Sequence, residues 1–114
     1  MSTRANIRIT QGEGQMLLYR HCDGYPEGVG SELKEYLEKR CRYGWYAENI
    51  ARGLVTMKDE YGSFPYEPAI GKHGDVEYVY VIDCDNQKLT CYSAGWDETF
   101  EECCVPERIC EIPE

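Results

Sequence analysis

The change from strand to helix in this chain is predicted within one stretch, Tyr19-Arg20-His21-Cys22-Asp23-Gly24-Tyr25-Pro26-Glu27-Gly28-Val29-Gly30-Ser31. An apolar run comes before it, and a helical pattern follows from its last residue. Glycine permits backbone conformations with positive φ, whereas the proline ring holds φ near one value. Because three glycines and a proline share this stretch, we predict a defined loop at residues 21–30, called the glycine loop below. It is the first place to look for a binding or active site.

Four strands are predicted on the two sides of the glycine loop. Residues 6–11 alternate between apolar and polar side chains, and residues 15–21 are apolar on both faces in their middle. The turn residues Gly12-Glu13-Gly14 lie between these two runs, so a hairpin is expected. Residues 76–83 and 88–93 show the same kind of pattern and predict a second hairpin.

Two amphipathic helices are predicted between the hairpins. The first covers residues 31–42, with Ser31 as its N-cap and one apolar stripe along its length. The second covers residues 46–58 and contains Gly53. A glycine inside a helix costs about 1 kcal/mol relative to alanine, which suggests a close packing contact at this position. Residues 59–75 are predicted as a long loop that carries aromatic side chains.

These elements predict an α+β fold with the order β-β-α-α-β-β. A chain of 114 residues has the length of one domain. We expect two layers, an antiparallel sheet of about four strands with both helices on one face. Residues 1–96 are expected to form the core, and residues 97–114 an acidic, cysteine-rich extension of the same domain. Within the extension, Ile109, Cys110 and Ile112 favour a short edge strand.

The charge of the chain argues against direct contact with nucleic acid. The formal net charge is −9, whereas binding to a phosphate backbone depends on lysine and arginine. The extension holds seven acidic residues and one arginine, and therefore six of the nine net negative charges. An acidic surface of this kind suits a protein partner with a basic surface, or the imitation of nucleic acid.

The cysteines and the hydropathy pattern favour a cytoplasmic protein. Seven cysteines are present, but no C-x-x-C motif occurs, so a zinc ribbon or a redox pair is not expected. Neither a secretory signal nor an apolar run of membrane-spanning length is visible, and no membrane contact is predicted. Reduced thiols in the cytoplasm are the expectation that fits these observations.

The first motif resembles one found in a group of small prokaryotic and phage-type proteins. The residues that carry the resemblance are Tyr19-Arg20-His21-Cys22-Asp23-Gly24-Tyr25-Pro26 with Gly28 and Gly30, which match a Y-R-H-x-D-G-Y-P-x-x-x-G-like pattern. A later segment, His73-Gly74-Asp75-x-Glu77-Tyr78, is similar to their second shared segment. The resemblance implies a common fold. It supplies no catalytic residue, because the group has no established activity, and it does not extend to the acidic C-terminal residues.

The candidate binding residues belong to the glycine loop, the following long loop and the acidic extension. Exposed tyrosines often anchor protein interfaces, and exposed carboxylates steer a basic partner. The residues that we expect to bind are His21, Asp23, Tyr25, Tyr66, Asp97, Glu98, Glu101 and Glu102.

The two histidines support a different hypothesis, because both occur in a His-x-Asp motif. If residues 15–21 and 76–83 were antiparallel neighbours, His21, Asp23, His73 and Asp75 would share one rim of the sheet. Histidine with carboxylates can bind zinc, manganese or iron, or can perform acid–base chemistry near neutral pH. In the plain structural interpretation, Asp23 instead accepts backbone N–H groups of its own turn, and His21 bonds a backbone carbonyl.

Two classes of function follow from these residues. The preferred one is a non-enzymatic interaction protein without a cofactor, of the kind that phages and mobile elements encode. Such a protein would bind and inhibit a host nucleic-acid-handling or defence protein, as an anti-CRISPR does, through a basic surface of that host protein. The alternative is a metal-binding or hydrolytic domain that uses the two His-x-Asp motifs.

Overall fold

The computed structural model of the chain describes residues 3–40, 44–70, 76–94, 100–102 and 107–108. They form an α+β fold in which two helices pack on one face of a mixed sheet. Within these ranges, no helix has the length and apolar character needed to cross a membrane.

The four predicted strands are all present, and their bounds agree to within two residues with the prediction. The strands in chain order are β1 (Ala5–Gln11), β2 (Gly14–Arg20), β3 (Tyr66–Pro68), β4 (Tyr78–Asp83), β5 (Lys88–Ala94), β6 (Phe100–Glu102) and β7 (Glu107–Arg108). The helices are a π-helical turn (Pro26–Gly30) that continues into α1 (Ser31–Arg40), and α2 (Ala47–Val55). Strands β3, β6 and β7 were not predicted. The strand predicted at Ile109, Cys110 and Ile112 lies outside the described residues.

The prediction of an entirely antiparallel sheet is wrong. The strand order is β3-β2-β1-β4-β5-β6, and β7 pairs with β5. The hairpins β1–β2 and β4–β5 are antiparallel, as predicted. The two hairpins meet, however, through a parallel pairing of β1 with β4, in which Ala5 lies opposite Tyr78. The reason is that the chain leaves β3 on one side of β1 and returns on the other side, entering β4 at the end of the sheet where β1 begins.

One face of the sheet carries the main core together with both helices. Side chains at alternate positions of a strand share a face. Buried members of this cluster come from strands β1, β4 and β5 and from both helices, and they include Ile7, Ile9, Tyr80, Ile82, Leu89, Leu33, Leu37, Ile50 and Leu54. The predicted arrangement of two helices on one face is therefore confirmed.

The predicted packing contact at Gly53 is confirmed as well. A Cβ atom built on Gly53 would overlap the hydroxyl group of Tyr36, which α1 supplies. The missing side chain therefore allows α1 and α2 to approach closely at this point.

The helical segment begins inside the glycine loop, at Pro26 rather than at the predicted Ser31. Ser31 has helical angles, φ −65° and ψ −39°, so the prediction of Ser31 as an N-cap is wrong. The N-cap position belongs to Tyr25, whose backbone is extended, and Pro26 follows at the start of the π-helical turn. Proline suits this position because its missing N–H group would have no helical partner there.

Candidate functional site

The glycine loop is attached to the end of the sheet at which β1 begins. The N–H group of Gly24 donates to the carbonyl of Thr3 at 2.9 Å. On the other side, the buried hydroxyl of Tyr80 donates to the carbonyl of Gly24 at 2.6 Å. A Cβ atom on Gly24 would lie 2.9 Å from the Cβ of Ala5 and from the Thr3 carbonyl, which is too close for a side chain. The loop is therefore held against the sheet through a position that only glycine fits.

The second half of the glycine loop closes on the first. Asp23 has φ 58°, a left-handed conformation that aspartate tolerates better than most residues, and its carbonyl accepts the N–H group of Val29 at 2.9 Å. Gly28 donates its N–H to the carbonyl of Tyr25 at 2.9 Å. A Cβ atom on Gly28 would overlap the Asp23 carbonyl. These contacts give the loop one tightly packed conformation.

Three side chains of this loop form an acidic and aromatic surface, called the acidic loop surface below: Asp23, Tyr25 and Glu27. The Tyr25 hydroxyl donates to the Asp23 carboxylate at 3.2 Å, and Tyr25 is 40 % exposed. The charge of Asp23 and this hydrogen bond raise the pKa of Tyr25, with smaller contributions from desolvation and from the charge of Glu27, so the phenol stays protonated. The expectation that Asp23 accepts the N–H groups of its own turn is wrong at Gly24, whose N–H donates to the Thr3 carbonyl.

His21 lies at the start of the loop and contacts side chains rather than the predicted backbone carbonyl. Its Nδ1 is 3.4 Å from Nε of Arg4 and 3.3 Å from the hydroxyl of Tyr19. An arginine N–H can only donate, so Nδ1 is the acceptor, and the neutral ring carries its proton on Nε2. His21 is exposed, and a ligand that binds it would therefore have to use Nε2.

The two His-x-Asp motifs were predicted to share one rim of the sheet, with β2 and β4 as antiparallel neighbours. In the structure both strands reach the same end of the sheet, but β1 lies between them. Strand β2 ends and β4 begins on the two sides of β1, and the N–H of Glu77 donates to the Arg4 carbonyl at 2.9 Å. His73 and Asp75 lie outside the described residues, so their approach to His21 stays a prediction. In the part of the chain that the structure describes, no three histidine, cysteine or carboxylate side chains are grouped so that they could hold a metal ion.

A partly buried polar network lies next to the glycine loop and joins β2, α1 and β3. The Arg20 guanidinium donates to the Glu32 carboxylate at 2.8 Å and to the Cys22 carbonyl at 3.0 Å. The Tyr66 hydroxyl donates to the same Glu32 oxygen at 2.6 Å. The Arg20 guanidinium carbon also lies 4.9 Å from the centre of the Tyr66 ring, which is a cation–π contact.

Tyr66 was predicted to be a surface anchor in a loop, and this prediction is wrong. The residue begins the short strand β3, and it is 1 % exposed. Its hydroxyl group is already used in the bond to Glu32. Burial, followed by the hydrogen bond and charge of Glu32, raises the pKa of Tyr66 well above its usual value.

We expect Tyr66 to make stability fall in alkaline solution. In the unfolded chain its pKa is near 10.0, whereas in the folded protein it is higher. Stability is therefore fully present below pH about 10 and decreases as the pH rises, because only the unfolded state loses the proton. The unfolding free energy of wild type minus that of Tyr66→Phe should shrink by up to about 1.4 kcal/mol per pH unit above that point. Urea unfolding of both proteins at several pH values measures this difference. A difference that stays constant above pH about 10 would mean that folding does not raise the pKa of Tyr66.

The loop after α2 presents aromatic side chains that are not among the predicted binding residues. Tyr61 is 84 % exposed and Phe64 55 % exposed. The Asp59 carboxylate accepts the N–H groups of Tyr61 and Ser63, each at 2.9 Å, and this orders the turn. The sequence signal was present, because aspartate shortly before glycine and serine is typical of such a turn.

The predicted acidic residues of the extension are described only in part. Glu101 and Glu102 belong to β6, whose backbone pairs with Ser93 and Tyr92 of β5. Asp97 and Glu98 lie outside the described residues. The expectation that these four carboxylates meet a basic partner stays a prediction.

Comparisons of the chain with protein-family models, curated proteins and solved structures gave no match. The site therefore has to be interpreted from its own chemistry.

Proposed function

We propose that this protein acts by binding another protein. It is a small acidic interaction protein, of the kind that phages and mobile elements encode, and it binds and inhibits a host nucleic-acid-handling or defence protein. The observation that supports this proposal is the acidic loop surface, in which the exposed Tyr25 donates its hydroxyl to Asp23 on a rigid loop that also carries the exposed Glu27. The net charge of −9 favours the same kind of partner, one with a basic surface.

The rigidity of the glycine loop matters for this function. A loop that becomes ordered only on binding loses part of its binding free energy to the ordering. Here the N–H and C=O groups of Gly24 both form hydrogen bonds, and the Asp23 carbonyl accepts the Val29 N–H. The loop is therefore ordered before a partner arrives. Tyr25 can then supply a rigid, partly exposed anchor, and tyrosine is one of the residue types enriched among the residues that dominate binding energy.

The carboxylates and the tyrosine are expected to contribute to different rates. Charges at the edge of an interface act mainly on association, because solvent and salt screen them once the complex has formed. A buried aromatic anchor acts on dissociation instead. Loss of the anchor should cost about 2 kcal/mol, which corresponds to about 30-fold in affinity.

We therefore expect separable kinetic effects in a binding experiment. The partner is first captured from host lysate with the tagged protein, and binding is then measured at two salt concentrations. Asp23→Asn with Glu27→Gln, and neutral changes at Asp97, Glu98, Glu101 and Glu102, should slow association and flatten its salt dependence. Tyr25→Ala should speed dissociation about 30-fold.

A matched control is available in the turn after α2. Glu60→Gln and Tyr61→Ala remove an exposed acid and an exposed aromatic outside the glycine loop, and they should leave both rates unchanged. If the glycine-loop variants bind with wild-type rates, the proposal is wrong. A stoichiometric metal ion in the purified protein would then favour the alternative, a metal-binding or hydrolytic domain at His21, Asp23, His73 and Asp75.

A further inference from the structure

The network around Arg20 shows how this chain holds a guanidinium group. The Tyr66 hydroxyl donates to Oε1 of Glu32 at 2.6 Å, and Nη1 of Arg20 donates to the same oxygen at 2.8 Å. The guanidinium carbon also lies 4.9 Å from the centre of the Tyr66 ring. A tyrosine whose hydroxyl is bonded to a carboxylate thus offers a cation two contacts at once, the negative charge and the face of the ring.

The acidic loop surface contains the same kind of tyrosine–carboxylate pair, but without a cation. The Tyr25 hydroxyl donates to Oδ1 of Asp23 at 3.2 Å, and both side chains are exposed. Neither Asp23 nor Glu27 forms an ion pair with a residue that the structure describes, and Oδ2 of Asp23 accepts no hydrogen bond from one. A cation from a partner would therefore complete the arrangement that is found at Arg20.

Arginine fits such a pair better than lysine does. A guanidinium group is planar, stacks on an aromatic face and donates several hydrogen bonds in its plane, whereas the lysine ammonium is compact and strongly hydrated. Arg20 shows that one guanidinium contacts both the ring and the carboxylate of such a pair in this fold. The hydroxyl bond keeps the Tyr25 ring and the Asp23 carboxylate beside each other on the surface.

We propose that the acidic loop surface binds an arginine side chain of the partner. The guanidinium group stacks on the Tyr25 ring and donates to the Asp23 carboxylate, while Glu27 adds a second negative charge on the same loop. This inference rests on the proposed function, which supplies the partner, and it specifies the residue that the partner contributes. Arginine and tyrosine are both enriched among the residues that dominate binding energy, and such residues tend to pair across an interface.

Two peptides of equal charge, hexa-arginine and hexa-lysine, separate this contact from general attraction to a chain of net charge −9. Each peptide is titrated into the nitrogen-15-labelled protein at physiological salt, and the Kd is taken from the amide signals of Gly24 and Tyr25, which report on this loop. Hexa-arginine should bind there about 5-fold more tightly, which corresponds to about 1 kcal/mol, the strength of a cation–π contact at an exposed site.

Two variants test which groups provide the preference for arginine. Tyr25→Leu keeps an apolar side chain but removes the ring, so the two peptides should bind the loop with equal affinity. Asp23→Asn removes the charge, and asparagine also tolerates the left-handed conformation, so hexa-arginine should lose more affinity than hexa-lysine. Tyr61→Leu is the matched control, because Tyr61 is exposed beside the acidic Glu60 but its hydroxyl bonds no described carboxylate. This control should keep the preference at Gly24 and Tyr25.

Equal affinity of the two peptides for the wild-type loop overturns the proposal. A preference for arginine that survives Tyr25→Leu overturns it as well, because the ring would then not be the contact. Either result leaves the proposed function standing if a captured partner still dissociates faster from Tyr25→Ala. A preference that is lost in Tyr25→Leu and kept in Tyr61→Leu supports the arginine contact, whether or not a partner is captured.

Discussion

Glu32→Ala is expected to lower the free energy of unfolding by about 3 kcal/mol, because it leaves the Arg20 guanidinium buried without its counter-charge. The Glu32 carboxylate accepts hydrogen bonds from both Arg20 and Tyr66, so two donors lose their partner in one substitution. Removing one partner of a fully buried pair costs about 3–5 kcal/mol. We place the effect at the low end because the Glu32 side chain is 38 % exposed. Equilibrium denaturation in urea measures the change.

Another ion pair of α1 supplies the control. Glu35 accepts Lys39 at 2.6 Å, but their side chains are 65 % and 69 % exposed. Lys39 lowers the pKa of Glu35 through a hydrogen bond and its charge, yet an exposed pair of this kind stabilises a protein little. Glu35→Ala should therefore change stability by less than about 0.5 kcal/mol. Equal losses at Glu32 and Glu35 would mean that the network of Arg20, Glu32 and Tyr66 has no special role.

Gly28→Ala is expected to lower the free energy of unfolding by about 2–3 kcal/mol through overpacking. The new Cβ atom would overlap the Asp23 carbonyl, which is a backbone group and cannot rotate away. That carbonyl also accepts the Val29 N–H, so its displacement breaks a hydrogen bond as well. Thermal unfolding measures the loss, and the Tyr25 anchor should bind a partner less well even at temperatures where the variant is folded.

Gly14→Ala is the matched control for this substitution. The nearest atom to its new Cβ is the Gln11 carbonyl oxygen at 3.5 Å, which is ordinary van der Waals contact. Alanine there should be neutral or slightly stabilising, because it reduces the freedom of the unfolded chain. If Gly28→Ala were as stable as Gly14→Ala, the glycine loop would not be tightly closed at Gly28.

The strands could be predicted from the sequence because alternation reports directly which side chains share a face. Ile7 and Ile9 are buried while Arg8 between them is exposed, as the pattern of β1 indicates. The same pattern does not report which strand lies at each edge of β1. The parallel pairing with β4 therefore had no local signal, since it depends on the path that the chain takes after β3.

The site could be located from the sequence, but its contacts could not. Glycine and proline marked residues 21–30 as a defined loop, and the structure has an ordered loop over residues 21–25 that continues into the π-helical turn Pro26–Gly30. The groups that hold it, the Thr3 carbonyl and the Tyr80 hydroxyl, come from distant parts of the chain. Tyr66 was misassigned for the same reason, because a strand of three residues within a long loop has too little pattern to be recognised.

The parallel pairing of β1 with β4 has a consequence for the order in which the chain folds. The β1–β2 hairpin needs only a short turn, whereas β1 cannot meet β4 until most of the intervening chain has been synthesised. Contacts between segments this far apart in sequence slow folding, because a long loop must close before the contact is made. During synthesis, β1 therefore has one hydrogen-bonding edge without its native partner, and mispairing with other nascent chains is a hazard at that edge until β4 arrives.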